Sequence, residues 1–329
     1  MHTDTDTDAI NLPPYLEEKT YARFDDMVRQ GRIFYDQQTG PGELFVHEGF
    51  QFEFRIVPFL KGKPVLAADD PGRSKSPSPC PCPASSGPES RAEAGRKQSI
   101  KGPFISPNPD EVILDSVGPR HRLMLNKYCL YRPMLVLPTK EFALQSEDLD
   151  ASDLSASWAL LHAFPSFSSP LVIYNRGVNG GSSQGHKHLQ LFPLPEEPFV
   201  QALLWPAKAS STETVATDIP HVPFRHFVLR IPVGATAETV IAMHDRLLQL
   251  TRQAHVEAGQ SPDGDYNVAL SREWIALIPR TTAGPVDGPF GTSTVGMLGL
   301  VAIRDEDDRK KWAELGYTEF LAQLGIPKK

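Results

Sequence analysis

The chain has 329 residues, 40% of them hydrophobic and 22% charged, with a net charge of −7 at neutral pH. This length predicts one large domain or two smaller ones. The acidic balance argues against broad nucleic-acid binding, and no apolar run approaches the roughly 20 residues of a membrane span, so neither nucleic acid nor membrane is an expected partner. A local basic pocket for a small polyphosphate is compatible with both facts. The opening "MHTDTDTDAINLPP" has no basic stretch and no apolar core of a secretory signal. The cytoplasm is the expected compartment, with the nucleus left open. The three cysteines fit a reducing environment. Cys80 and Cys82, in "SPCPCP", lack a second ligand pair and read as linker thiols rather than zinc ligands. No protein metal site is expected.

The first helix is predicted in "PPYLEEKTYARFDDMVRQG", between Pro13 and Gly31. In "GFQFEFRIVPFL", Phe50, Phe52, Phe54 and Ile56 alternate with Gln51, Glu53 and Arg55, a strand with one buried face. Residues 67–100 are rich in Pro, Ser and Gly and nearly devoid of large apolar side chains, a composition expected of a disordered loop within a domain. "NPDEVILDSV" and "HRLMLNKYCLYRPMLVLPTKEF" read as strands, and "DLDASDLSASWALLHAFP" as a helix capped by Asp150 or Ser152. "SPLVIYN" and "HKHLQLFPLP" are two further strands. After a Thr/Ser-rich patch come a strand in "PFRHFVLRIPV" and a helix in "TVIAMHDRLLQLTRQAHVEAG". Strands in "YNVALSREWIALIPR" and "GMLGLVAI" follow, then one last helix, "DEDDRKKWAELGYTEFLAQLG". Several strands follow one another through loops too short for parallel crossovers. The expected class is α+β with mostly antiparallel sheets and packed helices. Neither G-x-G-x-x-G after a strand nor G-x-x-x-x-G-K-[ST] occurs, which weakens Rossmann and P-loop readings.

The chemistry concentrates in "GGSSQGHKHLQLF", Gly180 to Phe192. On a strand, His186, His188 and Gln190 share one face, and Lys187, Leu189 and Leu191 take the other. The first reading is a half-solvated strand that happens to carry polar residues after a decorated hairpin. The second is a nucleophilic histidine with two supports. Neutral imidazole attacks phosphorus well near pH 7, provided its second nitrogen donates a hydrogen bond, commonly to a backbone carbonyl. Gln190 can donate to a phosphoryl oxygen without being a proton source. Gly177, Gly180, Gly181 and Gly185 around Ser182, Ser183 and Gln184 exceed what a hairpin needs, and suit an anion nest. Lys187 reads as structural by parity. His162, His244 and His255 read as packing or surface residues, and Trp158 and Trp274 as core.

The string "YNRGVNGGSSQGHKHLQLFPLP" resembles the active-site segment of the fungal diadenosine tetraphosphate (Ap4A) phosphorylases, also called ATP adenylyltransferases, in the histidine-triad (HIT-like) superfamily. "GPFISPNPDEVIL", "LNKYCLYRPMLVLPTKEFALQSEDL" and "YNVALSREWIALIPR" are similar to further segments of that family. The resemblance implies a HIT-like fold in two halves, an N-terminal catalytic domain over 1–205 and a C-terminal ATP adenylyltransferase-type domain over 206–329. It implies that His188 becomes adenylylated, aided by His186, while Gln190 holds an α-phosphate oxygen. Asn175, Gly181, Ser182, Ser183 and Gln184 would bind nucleotide and phosphates. Lys63, Ser271 and Arg280 would complete the polyphosphate site, with Asn267 a further candidate. The loop after Arg280, "TTAGPVDGPFGTSTVG", has no lysine where the resemblance calls for a phosphate-gripping one. The expected ligands are Ap4A, ATP, ADP and phosphate. Mg2+ is expected to arrive with the polyphosphate, with no organic cofactor, on a monomer or homodimer. Other readings are a sugar-1-phosphate uridylyltransferase, adenylylsulfate phosphorolysis, a hydrolase, or a non-catalytic nucleotide-binding protein.

Overall fold

Leu16, Thr20, Phe24 and Met27, three and four residues apart, are the buried face of α1 (Leu16–Arg29), where the sequence predicts a helix. The computed structural model describes residues 10–35, 42–63, 102–167, 169–194, 204–284 and 292–328. The Pro/Ser-rich stretch 67–100 lies outside the described residues.

Two sheets follow. In the smaller one, β2 (Phe50–Ile56) lies between β1 (Glu43–His47), antiparallel, and β11 (Leu300–Ile303), parallel. β1 has no counterpart among the predicted strands. Phe50, Phe52 and Phe54 are buried as the alternation predicts, but Ile56, at the end of the strand, is exposed. Glu53, expected on the exposed face, is buried too, while its face neighbours Gln51 and Arg55 are half-buried. Its carboxylate is matched by Arg55 at 2.6 Å and accepts from the Gly42 N–H at 2.9 Å.

The larger sheet has eight strands in the order β3-β4-β5-β7-β6-β9-β10-β8, and every neighbouring pair is antiparallel. The strands are β3 (Val112–Val117), β4 (His121–Leu125), β5 (Leu135–Pro138), β6 (Pro170–Asn175), β7 (His188–Pro193), β8 (Phe227–Arg230), β9 (Tyr266–Leu270) and β10 (Trp274–Pro279). The mixed, mainly antiparallel α+β class expected from strand spacing is the one found. The β6–β9 pairing joins the two sequence halves in one sheet.

Helix α2 (Ala151–Ala163) packs on β6, on α3 (Ala237–Glu257), and α3 on β8 and β10. Of the two cap candidates for α2, Asp150 does the work: its carboxylate accepts from the Asp153 N–H, and Asp153 returns the bond to the Asp150 N–H. The single helix expected at the end of the chain is two, α5 (Glu306–Glu314) and α6 (Tyr317–Leu324), after the short α4 (Thr294–Met297). Gly316 sits between them at φ 72°, a left-handed conformation that stops the first helix at low steric cost. Trp312 on α5 and Phe320 on α6 then meet edge-to-face at 4.8 Å, with Phe52 and Phe54 against Trp312.

Candidate active site

The register places the motif on the larger sheet. Gln190 pairs with Val136 on one side and Ile173 on the other, and His188 pairs with Pro138. Paired residues of antiparallel strands share a face, so Met124, Val136 and Gln190 form one row. The β7 ladder begins at His188, and His186 joins through an isolated bridge to Leu144. Leu189 and Leu191 point the other way, into the core. Phe104 covers the site side, its ring 5.0 Å from that of His188 and 5.7 Å from that of His186.

Lys187 is anchored beneath this face. Its ammonium lies 2.5 Å from the Asp153 carboxylate and donates to the Asp148 carbonyl at 2.7 Å. His121 Nε2 donates to the other Asp153 oxygen at 2.7 Å. All three side chains are sealed from solvent. Although burial alone would raise it, these bonds bring the Asp153 pKa down to about 2. Lys187 is therefore a tie between β7 and the start of α2.

On the site face, His188 Nδ1 donates to the His186 carbonyl at 2.8 Å. That bond fixes the tautomer and leaves Nε2 with a free lone pair. Burial, with smaller contributions from the neighbouring Lys63 and His186, lowers the His188 pKa to about 4, so the ring is neutral near pH 7. His186 is held differently. The Thr139 hydroxyl spends its hydrogen on the Glu141 carbonyl at 2.7 Å, so His186 Nε2 must donate to that oxygen, at 2.9 Å. Burial lowers the His186 pKa as well. Gln190 Oε1 faces Asn126 Nδ2 at 3.5 Å, which turns its amide nitrogen away as a donor. Lys63, at the end of a one-turn helix over Pro58–Gly62, has its pKa lowered by burial and is close enough to depress that of His188.

The glycine loop leaves β6 at Asn175. Gly177 sits at φ 63° and Gly181 at φ 87°, where a Cβ would come within 2.6 Å of the Thr292 carbonyl. Ser182, expected to face phosphate, is turned inward at 2% exposure, its N–H bonded to Gly177 O. Ser183 and Gln184 are half-buried, and their side chains make no hydrogen bond among the described residues. Asn175 Oδ1 already accepts from the Thr294 N–H and hydroxyl and from Asn267, so only its Nδ2 is left for a ligand.

Three expected ligands are not brought to this face as ligands. Arg280 is 1% exposed, and its guanidinium is consumed by the Asn267 side chain and the carbonyls of Leu324, Thr282, Thr292 and Gly180. Its hydrogen-bond partners among the described residues are neutral, and burial, partly opposed by the charge of Asp265, lowers its pKa to about 9. Asn267 is fully buried between Arg280, Asn175 and Gly180. Ser271 lies in the β9–β10 turn, where its hydroxyl accepts from the Glu273 and Trp274 N–H groups. It is four residues along β9 from Asn267, about 13 Å at strand rise. Part of the lysine-free loop, residues 285–291, lies outside the described residues.

Sequence reasoning missed Gln145, Asn126, Thr139 and Phe104, each of which bonds to or covers the histidine–glutamine strand. Asn126 and Gln145 stand inside the segment that resembled the family, but no spacing marks them. Among the described residues, the one group of three His, Cys, Asp or Glu side chains compact enough for a metal is His47, Glu48 and Glu319, which belongs to β1, its turn and α6.

Residues 86–206 match the Ap4A phosphorylase N-terminal domain, and residues 220–327 match the ATP adenylyltransferase C-terminal domain. The chain belongs to the Ap4A phosphorylase / ATP adenylyltransferase family. This is a family of nucleotidyltransferases, as the motif led one to expect. Diadenosine 5',5'''-P1,P4-tetraphosphate phosphorylase 2 of Saccharomyces cerevisiae is 29% identical over 263 residues, 72% of this chain and 79% of that protein. Protein APA1 of the same yeast is 28% identical over 257 residues, 72% of this chain and 80% of its own length. Among solved structures, yeast Ap4A phosphorylase Apa2 in complex with Ap4A shares the fold, with a TM-score of 0.71 at 21% identity, over 97% of this chain and 100% of that one. Its complex with AMP superposes equally well, TM-score 0.71 at 22% identity, over 97% and 99%. No helix among the described residues is long and apolar enough to cross a membrane.

Proposed function

We propose that this chain phosphorolyses Ap4A to ADP and ATP, reversibly, through an adenylyl group carried on His188. The supporting observation is the state of that imidazole: Nδ1–H spent on the His186 carbonyl, Nε2 unprotonated, and a pKa of about 4. In the first displacement the Nε2 lone pair attacks the α-phosphorus. A P–N bond forms, the P–O bond to the leaving ATP breaks, and the electron pair departs on an oxygen of an already anionic group. In the second, an oxygen of inorganic phosphate attacks the same phosphorus, the P–N bond breaks, ADP leaves and His188 is restored. Lys63, the Gln190 amide and the side chains of Ser183 and Gln184 would offer donors to oxygens on which charge accumulates. The side chains around His188 named above are neutral or basic, so Mg2+ arrives with the polyphosphate as part of the substrate.

The test is an assay of Ap4A cleavage with and without phosphate. ADP plus ATP should form only with phosphate, and equal rates without it would show a hydrolase. Incubation with α-labelled ADP, the reverse of the second displacement with phosphate as the leaving group, should label His188 as an acid-labile, base-stable phosphoramidate, and His188→Gly should remove the label.

A further inference from the structure

We propose that Gln145 is a positioning residue for this reaction, holding the backbone of His188 at the point where β6 and β7 separate. The inference rests on His188 as the nucleophile. The β6–β7 ladder runs from Pro170↔Pro193 to Ile173↔Gln190. Continued by two residues it would place Asn175 opposite His188, but the glycine loop forces the strands apart there. The Gln145 carboxamide fills the gap. Its Oε1 accepts from the His188 N–H at 2.8 Å, and its Nε2 donates to the carbonyls of His188 at 3.2 Å and Asn175 at 2.9 Å. The His188 N–H is unambiguously a donor, so the amide orientation is fixed by chemistry. Gln145 is itself fully buried and held by its backbone: its N–H donates to Gly185 O, and its carbonyl accepts from the Gly177 N–H and the Tyr174 hydroxyl. One side chain thus grips the nucleophile and Asn175, and its backbone grips both ends of the phosphate-facing loop.

The need for such a clamp is physical. His188 follows a loop with glycines at positions 177, 180, 181 and 185, which cannot hold a strand end by itself. Beside it, Pro138 on β5 has no N–H to lend to the ladder. A nucleophile displaced by about 1 Å loses on the order of a hundredfold in rate. No hydrocarbon of similar shape can replace three bonds, and a carboxylate has no hydrogen for the two carbonyls.

The experiment compares full-length wild type, Gln145→Met and Gln145→Glu in single-turnover formation of adenylyl-His188 from ADP, with phosphate released, beside equilibrium binding of AMP and thermal denaturation. Gln145→Met should lose about 10- to 100-fold in the adenylylation rate while AMP binding changes by less than about threefold. An unchanged rate in folded Gln145→Met overturns the proposal, as does a loss that only follows the unfolded fraction. Should Gln145→Met not fold, Gln145→Glu carries the test. Its protonated carboxyl can accept from His188 N–H and donate to one carbonyl, so its rate relative to wild type should rise on going from pH 8 to pH 5. A ratio flat with pH overturns the proposal. Failure of wild type to label at His188 is a separate result and would strike the nucleophile assignment instead.

Discussion

A histidine that titrates near 6.5 would lose its nucleophilic lone pair to a proton in mild acid. His188 does not have that problem, because burial against Phe104 disfavours the imidazolium and sets its pKa at about 4. The expected consequence is an acid limb of kcat/KM, which reports the free enzyme, near pH 4 rather than 6.5. Measuring kcat/KM for Ap4A between pH 4 and 8 checks this, and a limb at 6 to 7 would contradict the geometry. The same depression acts on stability. The unfolded chain binds a proton at His188 below about 6.5, the folded chain only below about 4, so this contribution is complete above 6.5 and is lost as pH falls toward 4. At this scale the sequence was informative. Strand parity selects His186, His188 and Gln190 as one face, and the structure puts them there with the Nδ1 bond the chemistry requires. It was silent on Gln145 and Asn126, because a glutamine 43 residues from the strand it clamps has no local signature.

Between elements, Asp153 ties the start of α2 to β4 through His121 and to the root of β7 through Lys187. Parity predicted that Lys187 leaves the site, but a lone lysine in the sequence does not name its counter-ion. That partner comes from α2, across a connection no periodicity describes. The carboxylate has a pKa of about 2 when folded and about 3.9 when unfolded. Its stabilising contribution is therefore fully present above about pH 4 and disappears as pH falls through 2. Asp153→Asn should strand the Lys187 ammonium and cost about 3–5 kcal/mol at pH 7. Urea denaturation at pH 7 and between pH 2 and 5 checks both parts. A loss below 1 kcal/mol, or an unaltered acid slope in the variant, would mean that Asp153 is not the anchor.

Over the whole molecule, the α+β class was legible because strand spacing forbids parallel crossovers. What was not legible is how the C-terminal half packs around the candidate site, whose histidine–glutamine strand lies in the N-terminal half. Arg280 was expected to touch polyphosphate, since an arginine in a transferase signature reads as an anion ligand. The fold instead spends its donors on joining distant segments: the end of α6 through Leu324, both flanks of the 285–291 loop through Thr282 and Thr292, β9 through Asn267, and the glycine loop through Gly180. Among the described residues no carboxylate touches it, so burial, only partly opposed by the more distant Asp265, pulls its pKa to about 9. Arg280→Met would leave those acceptors buried without donors, each costing about 1–3 kcal/mol where water cannot enter. The expected result is a loss of at least 3 kcal/mol in stability, with Arg280→Lys intermediate because three donors replace five. Its effect on catalysis follows from the same bonds. With Gly180 and Thr292 released, the loop carrying Ser183 and Gln184 loses its support while the His188–Gln145 contacts persist. In the folded fraction KM for Ap4A should therefore rise more than kcat falls. A phosphate ligand would give a different pattern: native stability in Arg280→Met and a defect confined to polyphosphate binding, which thermal denaturation beside steady-state kinetics would separate from the clamp.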